Sequence, residues 1–438
     1  MSLALFDVVT EPAEEFLSTS QNKSTPKGER ITLSLLRQRP LLLLGWSLFF
    51  LGIPLASTLA SVLLLLVDSL VVLIRTRIFG HQVAGPPIDF QQVQGTKRHA
   101  LVLFVLLGLW AVVGSLVSIR PDIAFPSTVG FALIIVVFFF RAGDLLWEDC
   151  WILRRTMPFL VVGLLASSIY GVYASQIQGM ARLRLLGHGP NGSGTCLLIS
   201  ILLAWSYADL LRKPRLKLGV GLVALAGIPS LLFTYSRGAW LGFAGGAAIY
   251  AVFSKRRNMI WLLLGLLIVA MLVGANPSLQ RRMQNIFSLE RNKDRIEVWM
   301  VTLNLIPDHL VFGVGTAVFP HVYRQYSPRG NSMAFAHNFF LQALAEYGIP
   351  GLVLLIAVIG LSVSAGYRVV RSYRCPLALG MLSALIGTLI HQQVDNTIHG
   401  ANLASIFWFL CGFLVALHEN QGETLKEPPC VDRVELEC

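Results

Sequence analysis

Four short stretches of this chain carry residues whose types could do chemistry together. Arg182 and Arg184 precede the turn Gly187-His188-Gly189-Pro190-Asn191-Gly192, and Arg237 lies in Thr234-Tyr235-Ser236-Arg237-Gly238. Arg295 lies in Asp294-Arg295-Ile296-Glu297-Val298-Trp299, and His337 is followed by Asn338. A guanidinium is planar, always charged and able to grip two phosphoryl oxygens at once, so several of them suit a diphosphate. A neutral imidazole beside such a group can take the proton from an attacking hydroxyl.

The elements that must position these residues are helices in a bilayer. Of 438 residues, 55% are hydrophobic and 13% are charged, against roughly 25% charged in a soluble domain. Apolar blocks fall at 41–53, 54–74, 99–119, 126–140, 156–175, 192–211, 218–233, 238–254, 259–274, 348–366, 376–391 and 401–417. A crossing helix needs about 20 such residues. The first two blocks run together into a stretch too long for one span, and Gly52-Ile53-Pro54 supplies the break. The expected fold is an all-α polytopic membrane protein of about 12 transmembrane helices.

Charge placement gives the orientation. Basic residues cluster at Arg75, Arg77, Lys97 and Arg98; at Arg141, Arg154 and Arg155; at 212–217; at Lys255, Arg256 and Arg257; and at Arg368, Arg371 and Arg374. The alternate short loops hold only Arg120, Arg182, Arg184 and Arg237. By the positive-inside rule the clusters are cytoplasmic, as are both termini, and the four remaining arginines are outer exceptions that need a reason. The net charge of +11 is thus spent on topology, which removes the case for a nucleic-acid partner. The expected organisation is a cytoplasmic tail at 1–38, transmembrane helices 1–9 over 39–274, and a large periplasmic loop at 275–347. Transmembrane helices 10–12 then cover 348–418, before a second cytoplasmic tail at 419–438. The loop is too aromatic for disorder. A helix is expected at 294–306, capped by Asp294 and ended by Pro307, then a glycine-rich turn at 312–315.

The motifs resemble the O-antigen ligase and polymerase-like superfamily, which includes bacterial O-oligosaccharyltransferases. The similar stretches are TYSRGAWLGF at 234–243, DRIEVWMVTLNLIPDHLVFGVGTAVF at 294–319 and HNFFLQALAEYGIPGLVLLI at 337–356. HGPNGSG at 188–194 and the closing block at 391–417 are also similar, so the resemblance covers about 180–417. It implies a GT-C-like fold in the bacterial inner (cytoplasmic) membrane, with an active site on the periplasmic face. It further implies transfer of a glycan from a polyprenyl-diphosphate carrier to an acceptor hydroxyl on lipid A-core, another glycan or a protein. Neither cofactor nor metal is required. Carried over residue by residue, His337 is the base, Arg295 and Arg237 are catalytic, and Arg184 or Arg182 joins them in holding the diphosphate.

Plainer readings stand beside these. Arg237 could snorkel from a helix end, Arg295 could pair with Glu297 or Asp294, and His337-Asn338 could be a helix cap. Glu346 has an equally good structural role beside Gly348 and Pro350. Asp395, Asn396 and His399 could line an acceptor path, while His188 and Asn191 shape a turn. Asp68, an ionisable group inside an apolar block, is a functional candidate by default. The six cysteines show no metal-binding spacing. Two other function classes compete: a membrane transporter of the bicarbonate type, and a non-catalytic polysaccharide assembly component. A transporter predicts ionisable residues near the midplane on broken helices.

Overall fold

The computed structural model describes residues 38–55, 58–75, 95–186, 188–254, 259–286, 288 and 290–423. The tails at 1–37 and 424–438 lie outside these residues, as do Arg77, Gly187 and the cluster Lys255, Arg256 and Arg257. Among the described residues the fold is all helix, and each of the expected apolar blocks is occupied by one. The helices are α1 (Pro40–Leu55), α2 (Leu59–Leu73), α3 (Gly95–Leu116), α4 (Pro121–Ile135), α5 (Trp147–Val172), α6 (Pro190–Leu210), α7 (Pro214–Phe233) and α8 (Arg237–Phe253). They continue as α9 (Met259–Ala275), α10 (Pro277–Gln284), α11 (Lys293–Leu305), α12 (Phe319–Tyr326), α13 (Phe339–Tyr373), α14 (Pro376–His391) and α15 (Ala401–Glu423). Seven are long and apolar enough to cross a membrane, or eight if the sharply bent pair α9–α10 is one span. The others in the apolar blocks are shorter, so length and composition support a multi-pass α-helical membrane protein with fewer certain crossings than hydropathy alone suggests.

Local sequence explains the helix starts that matter for the site. Proline, whose missing N–H would be unbonded there anyway, opens α4, α6, α7, α10 and α14. Ser236 caps α8 by accepting from the Ala239 N–H, and Asn338 caps α13 by accepting from Leu341. The helix expected at 294–306 runs from Lys293 to Leu305, with Asn292 rather than Asp294 at its cap position.

Between apolar helices in lipid, close packing is the main source of association. Accordingly α8 meets α14 through small residues. A Cβ on Gly242 would lie 2.4 Å from the Gly387 carbonyl oxygen, and one on Gly246 would lie 2.6 Å from that of Ser383. One turn further out, Gly238 rests on the His391 ring, which brings the Arg237 turn against the end of α14. Helix α6 is the enclosed centre of the bundle, buried from Gly192 to Ala208. The aromatic runs at 138–140 and 407–409 are packed bulk: Trp46, Phe49 and Phe50 of α1 stack with Phe138 and Phe409.

Asp68 is fully engaged in structure. It is 2% exposed and paired with Arg39 at 2.7 Å and Arg141 at 3.0 Å, while Arg141 also reaches Asp144 at 2.8 Å. Removing one member of such a group strands its partner's charge, a loss of about 3–5 kcal/mol.

The long segment before α13 builds its own apolar core from Val298, Val301, Leu305, Val318, Phe319 and Val322. It is fastened to α13 where that helix breaks. Gly348 adopts φ 68° and ψ −173°, and the Ile349 N–H bonds the Leu310 carbonyl at 2.8 Å. Val314 and Gly315 donate to the carbonyls of Ala345 and Glu346 at 2.8 and 3.0 Å. Only glycine fits at 348, because a Cβ would stand 2.1 Å from the Val311 carbonyl oxygen.

Candidate active site

Asp395, in the short connection between α14 and α15, is the point on which the chemistry-bearing residues converge. It is 6% exposed. One carboxylate oxygen, Oδ1, faces His337 Nδ1 at 3.3 Å and accepts the Asn396 N–H at 2.9 Å. The other, Oδ2, accepts from Arg295 Nη2 at 3.4 Å and from the Asn191 side-chain amide. The Asn191 carbonyl oxygen in turn accepts from Arg182 Nη2 at 3.1 Å. Burial alone would raise the pKa of Asp395. The hydrogen bond from His337 and the fields of His391, Arg295 and His337 outweigh it and bring it down to about 2.

That ionised carboxylate decides the histidine's tautomer. A carboxylate only accepts, so Nδ1 is the nitrogen that carries a proton towards Asp395, and in the neutral imidazole the lone pair is at Nε2. The side chain is one third exposed, enough to meet a substrate.

The backbone holds this geometry under strain. His337 sits at φ 52°, in the left-handed region, a conformation that persists only where its surroundings over-determine it. They do so on both sides. The Ala336 N–H donates to the Gln342 side chain at 2.7 Å and the Phe339 N–H to the Gln392 carbonyl at 2.9 Å. Asn338, besides capping α13, donates to the Gln393 carbonyl at 2.9 Å. The cap reading of Asn338 and the chemical reading of His337 are therefore compatible: the cap sets the angle at which the imidazole is presented.

The arginines divide into two groups. Arg295 belongs to the Asp395 centre. Arg182 and Arg237 line an open polar cavity of about 640 Å³, together with Arg281, Arg282, Tyr235 and Asn276. Arg237 donates to the Asn285 carbonyl and to Asn292 Oδ1 at 2.7 Å, tying α8 to the chain between α10 and α11. Arg282 donates to the Tyr235 carbonyl at 3.1 Å. Arg182 bridges both groups, since its Nε also donates to the Thr234 carbonyl at 3.2 Å. Its pKa is lowered by burial first, and then by the fields of Arg282, Arg295 and Arg184. The cavity therefore carries a surplus of positive potential, the condition under which an anion is drawn in.

Several residues fall elsewhere than a reading of the chain suggests. Of the two arginines competing near 183, Arg182 is half-buried at the centre, whereas Arg184 is exposed and does not line the cavity. Glu346 is 1% exposed and accepts from Gln342 at 2.9 Å and the Ala317 N–H at 3.1 Å, on the wall of a different cavity. Asn191, assigned to turn formation, links Arg182 to Asp395. Arg281 and Arg282 line the cavity although they belong to none of the sequence motifs. His391, buried and bonded through Nδ1 to Thr195 at 2.9 Å, carries no local motif.

Helix bundle, strained histidine on a carboxylate and arginine-lined cavity together describe a multi-pass α-helical membrane protein with a cluster of ionisable side chains around Asp395. Residues 221–356 match the family described as O-antigen ligase. The match supports the likeness to the O-antigen ligase-like superfamily that the motifs carry. No curated protein matches the chain. The matched interval contains Arg237, Arg281, Arg282, Arg295 and His337 but neither Arg182 nor Asp395, which join the centre only through the fold.

Proposed function

We propose that the protein moves a glycan from a polyprenyl-diphosphate carrier to an acceptor hydroxyl, at the periplasmic face of the inner membrane. The observation that carries this reading is the convergence of His337, Arg295 and, through Asn191, Arg182 on the buried carboxylate of Asp395. His337 Nε2 takes the proton of the acceptor hydroxyl as its oxygen attacks the anomeric carbon. The bond from that carbon to the diphosphate breaks, and its electron pair leaves on the diphosphate oxygen. Arg182, Arg237, Arg281 and Arg282 around the polar cavity, with Arg295 on Asp395, stabilise the charge that builds there. They take the part that a divalent ion plays in many phosphate-handling sites. A single displacement inverts the anomeric carbon.

Two features weigh against a transporter. The buried charges around Asp68 pair with one another, and the break in α13 at Gly348 is filled by the backbone of Leu310 and Val311. The test uses membranes containing the protein, a polyprenyl-diphosphate glycan and candidate acceptors. Transfer should fall at least 100-fold in His337→Ala and in Arg295→Ala while the amount of folded protein is unchanged. Normal transfer in His337→Ala overturns the assignment of the base.

A further inference from the structure

A second cavity lies between α3, α4, α13 and α15, with about 150 Å³ of free space. Its walls are apolar, formed among others by Leu107, Phe131, Ile135, Phe140, Leu355 and Trp408. Among its lining residues Thr128, Thr316, Gln342, Glu346, Tyr347 and His399 carry polar groups. These gather at one end. Gln342 and Glu346 lie in the first two turns of α13, His399 stands just before α15, and Thr316 comes from the loop turn and bonds Thr128 at 2.7 Å. Phe140, Leu355 and Trp408 are deeper along their helices. The polar end adjoins the reaction centre, because the lining residue Phe339 is two positions from His337 and Ile398 is three from Asp395. The cavity is thus amphiphilic along its length.

Size and charge select the occupant. An engineered apolar cavity of about 150 Å³ admits benzene, so this one takes a short run of an apolar chain and is too small for a hydrated sugar. No arginine or lysine lines it, and its polar end carries the Glu346 carboxylate. A diphosphate there would lack a lining arginine or lysine to pair with in a low dielectric, whereas hydroxyl groups would find acceptors at Glu346 and at the threonines. Four arginines that suit a diphosphate, Arg182, Arg237, Arg281 and Arg282, border the other cavity. His399, wedged between the rings of Phe131 and Phe335 at 5.3 and 5.0 Å, closes the polar end without adding an arginine-like grip.

We propose that this cavity holds the apolar chain of a lipid-borne acceptor whose hydroxylated, uncharged head is turned towards Glu346 and, past Phe339, towards His337. The proposal rests on the glycan-transfer reading, and it gives the two substrates separate sites: donor diphosphate among the arginines, acceptor chain between α3 and α4. The hydroxyl that yields its proton to His337 then belongs to a lipid held in the same bilayer as the donor.

Photolabelling of the full chain in phospholipid nanodiscs tests it without requiring turnover. Three probes carry a diazirine on the apolar chain: a dodecyl glucoside, an isoprenyl diphosphate and a phosphatidylethanolamine. The expected result is preferential labelling of peptides within 95–146 by the glucoside, competed by unlabelled dodecyl glucoside. Gly108→Leu should reduce it at least fivefold. Gly108 lines the cavity and a Cβ there meets nothing within 4 Å, so leucine fills open space. Ala132→Leu, on the facing helix, serves if that variant does not fold. Stronger labelling by the isoprenyl diphosphate assigns the cavity to the donor chain and overturns the proposal. Equal labelling by all three probes, unchanged by Gly108→Leu, makes it a slot for bulk lipid and also overturns it. With the transfer assay, Gly108→Leu should raise KM for an alkyl-chain acceptor at least tenfold while KM for the donor stays within about twofold. Absence of any transfer counts against the function proposed above, and the labelling pattern is read independently of it.

Discussion

Replacing Asp395 by asparagine separates its role as an ion from its role as a shape. Four donors converge on the carboxylate: the Asn396 N–H and His337 on Oδ1, and Asn191 and Arg295 on Oδ2. An amide offers one acceptor oxygen and one donor nitrogen, so either orientation turns an NH2 group towards two donors. If the NH2 faces Oδ2's partners, it meets Arg295 and forces Asn191 to flip, which breaks the bond to Arg182. If it faces Oδ1's partners, it meets a backbone N–H that cannot flip. It then also selects the His337 tautomer with Nδ1 as acceptor and Nε2 protonated, which is useless as a base. General-base catalysis contributes about 100- to 10,000-fold, and Arg295 stays nearby in either case. The expected loss in kcat for Asp395→Asn is therefore about 100- to 1,000-fold, equivalent to about 3–4 kcal/mol of barrier. Initial rates of glycan transfer in nanodiscs, with donor and acceptor varied separately, measure it. Because Asp395 acts through His337, Asp395→Asn combined with His337→Ala should be no slower than His337→Ala alone. A wild-type kcat in Asp395→Asn, or losses that multiply in the double variant, would refute the reasoning.

Three further outcomes are expected. Arg182→Ala should raise KM for the donor at least tenfold, whereas Arg184→Ala, exposed and away from the cavity, should stay within about twofold in the same kinetic assay. Gly348→Ala should lower stability by about 3 kcal/mol or more, read as a drop in Tm, because the positive φ and the Val311 carbonyl leave no place for a methyl group. For pH, the Asp395 pKa is lowered from 3.8 to about 2. The stability it contributes, about 2 kcal/mol, is then complete above about pH 4 and lost as pH falls towards 2. Thermal melts should show this acid loss in the wild type and lack that component in Asp395→Asn.

The bundle was legible because hydropathy is a local property: blocks such as 192–211 and 376–391 became α6 and α14 almost residue for residue. The three motifs around Arg237, Arg295 and His337 were legible as well, each within one continuous stretch. What local pattern does not carry is the meeting point. Asp395 lies 204, 100 and 58 positions from Asn191, Arg295 and His337, and only the packing of α6, α8 and α14 brings them together. Arg182 and Arg184 differ by one intervening residue in sequence and by burial in the fold, a distinction set by the Leu183 N–H docking on the Phe233 carbonyl at 2.8 Å. Asp68 shows the opposite error. A lone acid in an apolar block reads as functional, yet Arg39, just before α1, and Arg141, beyond the end of α4, reach it and neutralise it.

The central claim is that the donor's glycan leaves its diphosphate in the same step in which a hydroxyl acquires it. The most direct measurement is to reconstitute the purified protein in vesicles with a labelled polyprenyl-diphosphate glycan and a hydroxyl-bearing acceptor, and to quantify free polyprenyl diphosphate and glycosylated product together. The account predicts equal amounts of the two, inversion at the anomeric carbon, and loss of both in His337→Ala. Uptake of a small solute into the vesicles with no diphosphate released would contradict it.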